Sequence, residues 1–276
     1  IQYEMCYTNI LQLLDLSRIP LYARERTQED PIVIGGGPCV FNPEPIAPFF
    51  DLFYIGEGET VYHQLLDLYK ENKRKGGRRE DFLLQAAQVP GIYVPAFYDV
   101  TYHADGTIAS FGPNRPQVPE KIQKQVMMDM TEAYHMPDPV VPFIKATQDR
   151  VTLEIQRGCI RGCRFCQAGM IYRPTRERDV EALKAEARRM LKSTGHEEIS
   201  LSSLSSSDYS QLEELVTYLI DEFKSQGVNI SLPSLRIDAF ALDVMSKVQD
   251  IRKSSLTFAP EAGSQRLRDV INKGLT

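Results

Sequence analysis

Two patterns of apolar spacing run along this chain, and the change from one to the other divides it. In the first part, Pro31-Ile32-Val33-Ile34 and Leu52-Phe53-Tyr54-Ile55 are short unbroken apolar runs. Gly35-Gly36-Gly37-Pro38 follows the first, and Gly56-Glu57-Gly58-Glu59 follows the second. Such runs predict buried strands of a parallel sheet. Ligands of such sheets sit beyond the carboxyl ends of the strands, where these glycines fall. A short helix is expected over residues 44–50. Val61, Leu65, Leu66, Leu68 and Tyr69 form the apolar side of a longer one. A basic loop at 73–79 separates it from a segment at 81–88. Ile92-Tyr93-Val94 and Val100-Thr101-Tyr102 read as strands, and Ala104-Asp105-Gly106 is a turn signal. Residues 113–142 are rich in proline and carry no clean period.

From Arg150 the pattern becomes regular strand–helix alternation. Residues 151–155 read as a strand. Val180, Leu183, Ala187, Met190 and Leu191 make a helical stripe, with Asp179 as its N-cap and Gly195 as its C-cap. Residues 198–201 are the next strand. Asp208 is placed to cap a helix carrying Leu212, Leu215, Val216, Leu219, Ile220 and Phe223, which Gly227 ends. Strand 228–232, helix 239–248 and strand 255–258 follow. Ser264 opens a last helix, which Gly274 closes. Four βα units in sequence imply a parallel sheet, open or rolled into a barrel, with its site at the carboxyl ends of the strands.

Composition narrows the class. The chain has 276 residues, 42% of them hydrophobic and 25% charged, as in a folded protein of one large or two ordinary domains. A net charge of −5 argues against a broadly basic nucleic-acid-binding surface. No apolar run approaches the roughly 18 residues of a membrane span, and a cytoplasmic setting is expected. The chain starts at Ile1 without a leader pattern and stops at Thr276 just past a helix end, so it reads as a piece of a longer protein. Three of its five cysteines fall within eight residues. That crowding suits a metal or cluster site in a reducing compartment better than a disulfide framework. Cys6 and Cys39 are expected to be isolated buried thiols without a role.

The chemistry lies in Arg157-Gly158-Cys159-Ile160-Arg161-Gly162-Cys163-Arg164-Phe165-Cys166, directly after the first strand of the second half. Three thiolates on one tight loop can ligate three irons of a cubane cluster, leaving the fourth without a protein ligand. An open position is what a bound substrate or cofactor needs. The other reading is a zinc site, whose fourth ligand would have to come from elsewhere, with His196 the nearest downstream histidine.

The C-x-x-x-C-x-x-C spacing, with Phe165 just before the last cysteine and a βα series around it, resembles the radical S-adenosylmethionine (SAM) superfamily. The resemblance implies that Cys159, Cys163 and Cys166 hold a [4Fe–4S] cluster whose open iron chelates SAM. An electron from the cluster would break the sulfonium bond and yield a 5′-deoxyadenosyl radical. It also implies a reductant such as flavodoxin or ferredoxin, and a place for Phe165 near the SAM adenine. In such folds the end of the second strand meets the SAM amino group. Here that stretch carries hydroxyls at Ser203 and Ser205 in place of the usual Gly-Gly-Glu. Arg236, past the third strand, is a candidate partner of the SAM carboxylate. Glu261, in Ala259-Pro260-Glu261-Ala262-Gly263-Ser264, sits in a turn similar to that of methylthiotransferase-like members and is a candidate for the ribose or the substrate.

The fold expected on this basis is α/β. A partial radical SAM (β/α) barrel at 148–276 follows a linker at 113–147. A partial Rossmann-like, cobalamin-binding-type domain with a small extension occupies 1–112. The glycine-rich loops of that first domain carry its resemblance. No Asp-x-His-x-x-Gly loop is present, so cobalamin and a scaffold lacking it both stay open. So do methylthio- or methyl transfer to tRNA or another large substrate, and a non-enzymatic iron–sulfur or zinc module. Six arginines between Arg157 and Arg178 read as charge balance around an anionic cluster or as contacts to a phosphate-bearing substrate such as RNA.

Overall fold

The computed structural model describes residues 1–233, 235–236 and 259–276. The helix expected at 239–248 and the strand at 255–258 lie outside the described residues. The chain is α/β and falls into two compact units, Ile1–Met127 and Met128–Thr276.

The first unit holds a small sheet of β1 (Ile34–Gly35), β2 (Leu52–Tyr54) and β3 (Ile92–Tyr93). β1 and β2 are parallel, with Ile34 opposite Leu52. β3 runs antiparallel to β2, with Phe53 opposite Tyr93, so the parallel expectation holds for the first pair alone. Between β1 and β2 the chain forms two 3-10 turns, Pro38–Phe41 and Glu44–Phe49, instead of an α-helix. Pro38, Pro43, Pro45 and Pro48 explain this, because each removes a backbone donor. Helices α1 (Tyr7–Leu16), α2 (Tyr62–Arg74) and α3 (Arg79–Ala86) surround the sheet. Val40, Phe53, Leu65, Phe82 and Ile92 belong to its core. A hairpin of β4 (Tyr98–Tyr102) and β5 (Ile108–Pro113) follows, and its turn is held by the Asp105 carboxylate accepting from the Thr107 N–H at 3.0 Å. Cys39 is buried as expected, but Cys6, in the residue position just before α1, is only half-buried.

At the base of the sheet three donors converge on one oxygen of Asp51. They are Arg26 Nη1 at 2.9 Å, Arg79 Nη2 at 2.7 Å and the Val33 N–H at 2.7 Å. The Arg26 and Asp51 side chains are 0% and 2% exposed. This is a fully desolvated ion pair within an otherwise apolar unit.

The second unit is built on three parallel strands in the order β10–β9–β6. They are β6 (Val151–Glu154), β9 (Glu198–Ser202) and β10 (Asn229–Ser231). β7 (Gln156–Arg157) continues directly from β6 and pairs antiparallel with β8 (Arg176–Glu177). This short pair closes the ends of the loop that carries the three cysteines and α4 (Ala168–Ile171). Helices α5 (Val180–Thr194) and α6 (Leu212–Phe223) connect the parallel strands. α7 (Gln265–Val270) lies near the end of the chain.

Alternation along the strands sorts the side chains. Val151, Leu153, Ile155, Ile199, Leu201 and Ile230 form one core with Leu183, Leu215 and Leu219 of the two helices. The opposite face is polar: Thr152 stands opposite Ser200, Ser200 opposite Ser231, and Glu154 opposite Ser202. The closed barrels of other enzymes fill this face with branched apolar residues.

Several caps agree with the sequence. Asp179 accepts from the Ala182 N–H at 3.0 Å, Gly195 takes φ 70° at the end of α5, and Ser264 accepts from the Leu267 N–H. Asp208 is a correction. Gln211 precedes α6 and no side chain caps it, while Asp208 ends a separate 3-10 turn and its carboxylate faces the cysteine loop. The last helix also ends early, at Val270, because Asn272 takes a positive φ of 55° before Gly274 is reached.

Candidate metal centre

The cysteine loop begins where β7 ends. Gly158 takes φ +83°, and a Cβ there would lie 2.7 Å from the Tyr172 carbonyl and 2.9 Å from that of Pro174. Only glycine allows the loop to fold back onto its own return limb. The thiols of Cys159, Cys163 and Cys166 are all half-exposed. The Arg161 N–H approaches Cys159 Sγ at 3.4 Å, and the Gly169 N–H approaches Cys166 Sγ at 3.3 Å. Hydrogen bonds to the sulfurs are among the outer contacts that orient and tune the ligands of an iron–sulfur cluster.

Among the described residues, no three His, Cys, Asp or Glu side chains are gathered closely enough to hold one metal ion. Zinc would require such convergence, with sulfurs about 2.3 Å from a single centre. His196 lies instead 3.5 Å from Asp149. A cubane asks for something different: each thiolate binds its own iron, so the sulfurs sit apart. The donor set, its exposure and its N–H contacts fit a [4Fe–4S] cluster.

The sequence candidates around the loop fall into short chains of polar contacts. Arg161 pairs through both guanidinium arms with Asp208, Nε to Oδ2 at 2.9 Å, and Ser205 Oγ donates to the same carboxylate at 2.7 Å. Ser203 Oγ lies 3.0 Å from Ser206 Oγ. The Arg236 N–H donates to Ser207 Oγ, and its Nη2 donates to the Lys273 carbonyl at 2.9 Å. Lys273 Nζ reaches Glu261 Oε1 at 3.0 Å and lies 5.9 Å from the centre of the Phe165 ring. Glu261 itself has φ 66°, a conformation rare for a non-glycine residue and common at functional turns. The segment after α7 docks on the loop: Asn272 Nδ2 donates to the Gly162 carbonyl at 2.8 Å, and the Arg164 N–H donates to that of Ile271 at 2.9 Å.

Sequence reasoning missed Asp208 as a partner of the loop, and also Lys273 and Asn272. The partners of Asp208 and Asn272 lie 47 and 110 residues away, and Lys273 meets Glu261 from 12 residues away, beyond any local signal. It also missed Gln156. This residue is 1% exposed, and neither its amide oxygen nor its nitrogen has a hydrogen-bond partner. A buried amide left unsatisfied costs about 1–3 kcal/mol. The visible signal was a polar residue in a buried strand, three positions before the first cysteine.

Burial opposes the charge on Asp208, but the hydrogen bonds from Arg161 and Ser205, with the nearby positive charge of Arg161 and Arg236, hold its pKa below the ordinary carboxylate range. A depressed folded-state pKa stabilises the fold above the unfolded value, about 3.9. That contribution is lost as pH falls through the folded value. Asp208→Asn should therefore lower Tm near neutral pH, with the gap to wild type closing below about pH 4. A gap of constant size across an acid series of thermal melts contradicts this.

The six arginines are engaged within the unit. Arg157 grips Glu154, and Arg161 pairs with Asp208. Arg164, Arg173 and Arg176 donate to backbone carbonyls. Arg178 lies 3.2 Å from the buried Glu186. Three of the six thus face carboxylates and three face carbonyls.

Two family models match the chain. One describes the N-terminal region of radical SAM proteins and covers residues 1–95. The other describes the radical SAM superfamily and covers residues 153–276, beginning inside β6 and spanning all three cysteines. The chain belongs to the radical SAM superfamily. An uncharacterized protein of Methanocaldococcus jannaschii is 30% identical over the whole chain, which spans 51% of that relative. Two solved radical SAM structures share the fold. One is the methyltransferase TsrM from Kitasatospora setae with cobalamin and a [4Fe–4S] cluster bound, at TM-score 0.52 and 14% identity, covering 88% of this chain and 44% of that one. The other is the cobalamin-dependent radical SAM enzyme OxsB with aqua-cobalamin bound, at TM-score 0.55 and 16% identity, covering 99% and 36%. This radical SAM chain thus spans about half the length of its curated relative, and no described helix is long and apolar enough to cross a membrane.

Proposed function

We propose that this chain is the SAM-cleaving core of a larger radical SAM enzyme, with Cys159, Cys163 and Cys166 holding a [4Fe–4S] cluster. The observation that carries this reading is the placement of three half-exposed thiols, two of them contacted by backbone N–H groups, on one loop at the carboxyl end of the first barrel strand. When bound, such a cluster supplies the electron that cleaves SAM reductively. The chain's own residues bind and orient. Phe165 offers a ring face to the adenine. Arg236 offers a guanidinium to the SAM carboxylate. Ser203 and Ser205 offer hydroxyl lone pairs to its ammonium. Glu261, held by Lys273, offers a carboxylate to the ribose or the substrate. The polar face of the sheet, ending in the unpartnered amide of Gln156, suits a substrate rich in hydrogen-bonding groups. A cytoplasmic setting and a flavodoxin- or ferredoxin-type reductant accompany this reading.

SAM coordination is testable before turnover. Adding SAM to the reduced, reconstituted full-length protein should change the electron paramagnetic resonance spectrum of its cluster. An unchanged spectrum at saturating SAM would sink the proposed site.

A second reading is cobalamin-dependent methyl transfer, favoured by the fold shared with TsrM and OxsB. The glycine-rich loops of the first unit weigh against it. A Cβ at Gly37 would meet the Ile1 backbone at 2.9 Å, and one at Gly56 would meet the Gln125 carbonyl at 2.2 Å. The close approaches these glycines permit are made by the chain itself. The first unit is therefore read as a scaffold of the cobalamin type without the cofactor. A cobalamin absorption band that persists on the full-length protein through gel filtration would reverse that choice.

A further inference from the structure

The first unit contains a cavity of about 950 Å³, within the size range of small-molecule sites. It does not lie at the glycine-rich carboxyl ends of β1 and β2. Asp51, just before β2, and Tyr93, at the end of the antiparallel β3, line it together with the β4–β5 hairpin. It lies at the amino edge of the sheet, away from the glycine loops.

Its lining is unusual in two ways. It carries five arginines against three carboxylates, although the chain as a whole has a net charge of −5. Two of these arginines, Arg26 and Arg79, share the single carboxylate of Asp51; Arg79 also donates to the carbonyls of Thr27, Asp30 and Pro31, and Arg78 pairs with Asp81. Arg79 Nε is buried and has no hydrogen-bond partner. Arg24 lies 4.7 Å from the centre of the Tyr22 ring, and Arg115 lies 5.8 Å from the centre of the Phe97 ring and meets the exposed Glu80 at 3.2 Å, a pair of little worth in water. The Glu44 carboxylate, by contrast, already accepts from the Tyr93 hydroxyl at 2.5 Å.

The second feature is aromatic. Tyr98 and Phe111 stack with centroids 5.7 Å apart and planes 18° apart, and Phe111 remains 49% exposed. An exposed phenylalanine face at a cavity wall is an open place for a flat ring.

We propose that this cavity binds a planar aromatic anion, its ring against the Tyr98–Phe111 wall and its carboxylate or phosphate taken by Arg24. The proposal concerns the first unit alone and does not depend on the iron–sulfur site.

The test is isothermal titration calorimetry on the full-length protein with 1-naphthoate, 1-naphthyl phosphate and the neutral 1-naphthalenemethanol. A charge-assisted hydrogen bond of about 1.5–3 kcal/mol corresponds to roughly tenfold or more in affinity. At least one anion should therefore bind saturably with one site, and at least about tenfold tighter than the alcohol. The tighter of the two identifies the anionic group. Arg24→Gln and Phe111→Ala, both at exposed positions, should each weaken that anion about threefold or more with Tm unchanged. No saturable binding, equal affinity for the alcohol, or full affinity in both variants overturns the proposal.

Discussion

Alanine at Cys159, Cys163 or Cys166 is expected to strip the reconstituted full-length protein of its iron, from about four atoms per chain to fewer than about one. The reason is the small number of anchors. Three thiolates each hold one iron, so removing one leaves two attachments and exposes the cluster to solvent and chelation. The loop offers no substitute, since residues 157–166 hold no His, Asp or Glu and no further Cys. Cys39→Ala and Cys6→Ala provide the controls. Cys39 is buried in the first unit and Cys6 half-buried at its edge, and both variants should keep full iron. Iron and sulfide analysis after gel filtration decides the matter. A Cys163→Ala protein that retains a full complement contradicts the assignment.

The second large effect is on stability. Asp51→Asn should destabilise the first unit by about 3–5 kcal/mol, because it removes the shared counter-charge of two guanidiniums. Arg26 has no access to water that could compensate, with its side chain 0% exposed. Lys70–Asp67 gives the comparison. That pair is 76% and 70% exposed at 3.4 Å, and Asp67→Asn should change stability by less than about 0.5 kcal/mol. Urea unfolding of both variants, followed by a tyrosine signal from the first unit, measures the contrast. Equal effects would mean that the buried pair is compensated elsewhere.

What the sequence made legible was local. The cysteine spacing, the buried runs before the glycine loops, the helical stripes of α5 and α6, and the caps at Asp179, Gly195 and Ser264 are each written within a few residues. What it hid depends on distant partners or on competing local chemistry. Four prolines turned the expected helix at 44–50 into 3-10 turns. β3 pairs antiparallel because of how the chain returns after α3, which no strand pattern encodes. Asp208 looked like a cap because it precedes an apolar stripe, yet Arg161, 47 residues earlier, offers its carboxylate a two-armed ion pair. Lys273 and Asn272 looked like ordinary residues of a helix end until α7 and its following turn docked on the cysteine loop.

The measurement closest to the central claim is 5′-deoxyadenosine release by the anaerobically reconstituted full-length protein, given dithionite and SAM. Release by wild type and background levels in Cys163→Ala are predicted. A wild-type protein carrying an intact [4Fe–4S] signal that neither cleaves SAM nor responds to it would contradict the account and leave the cluster to another task.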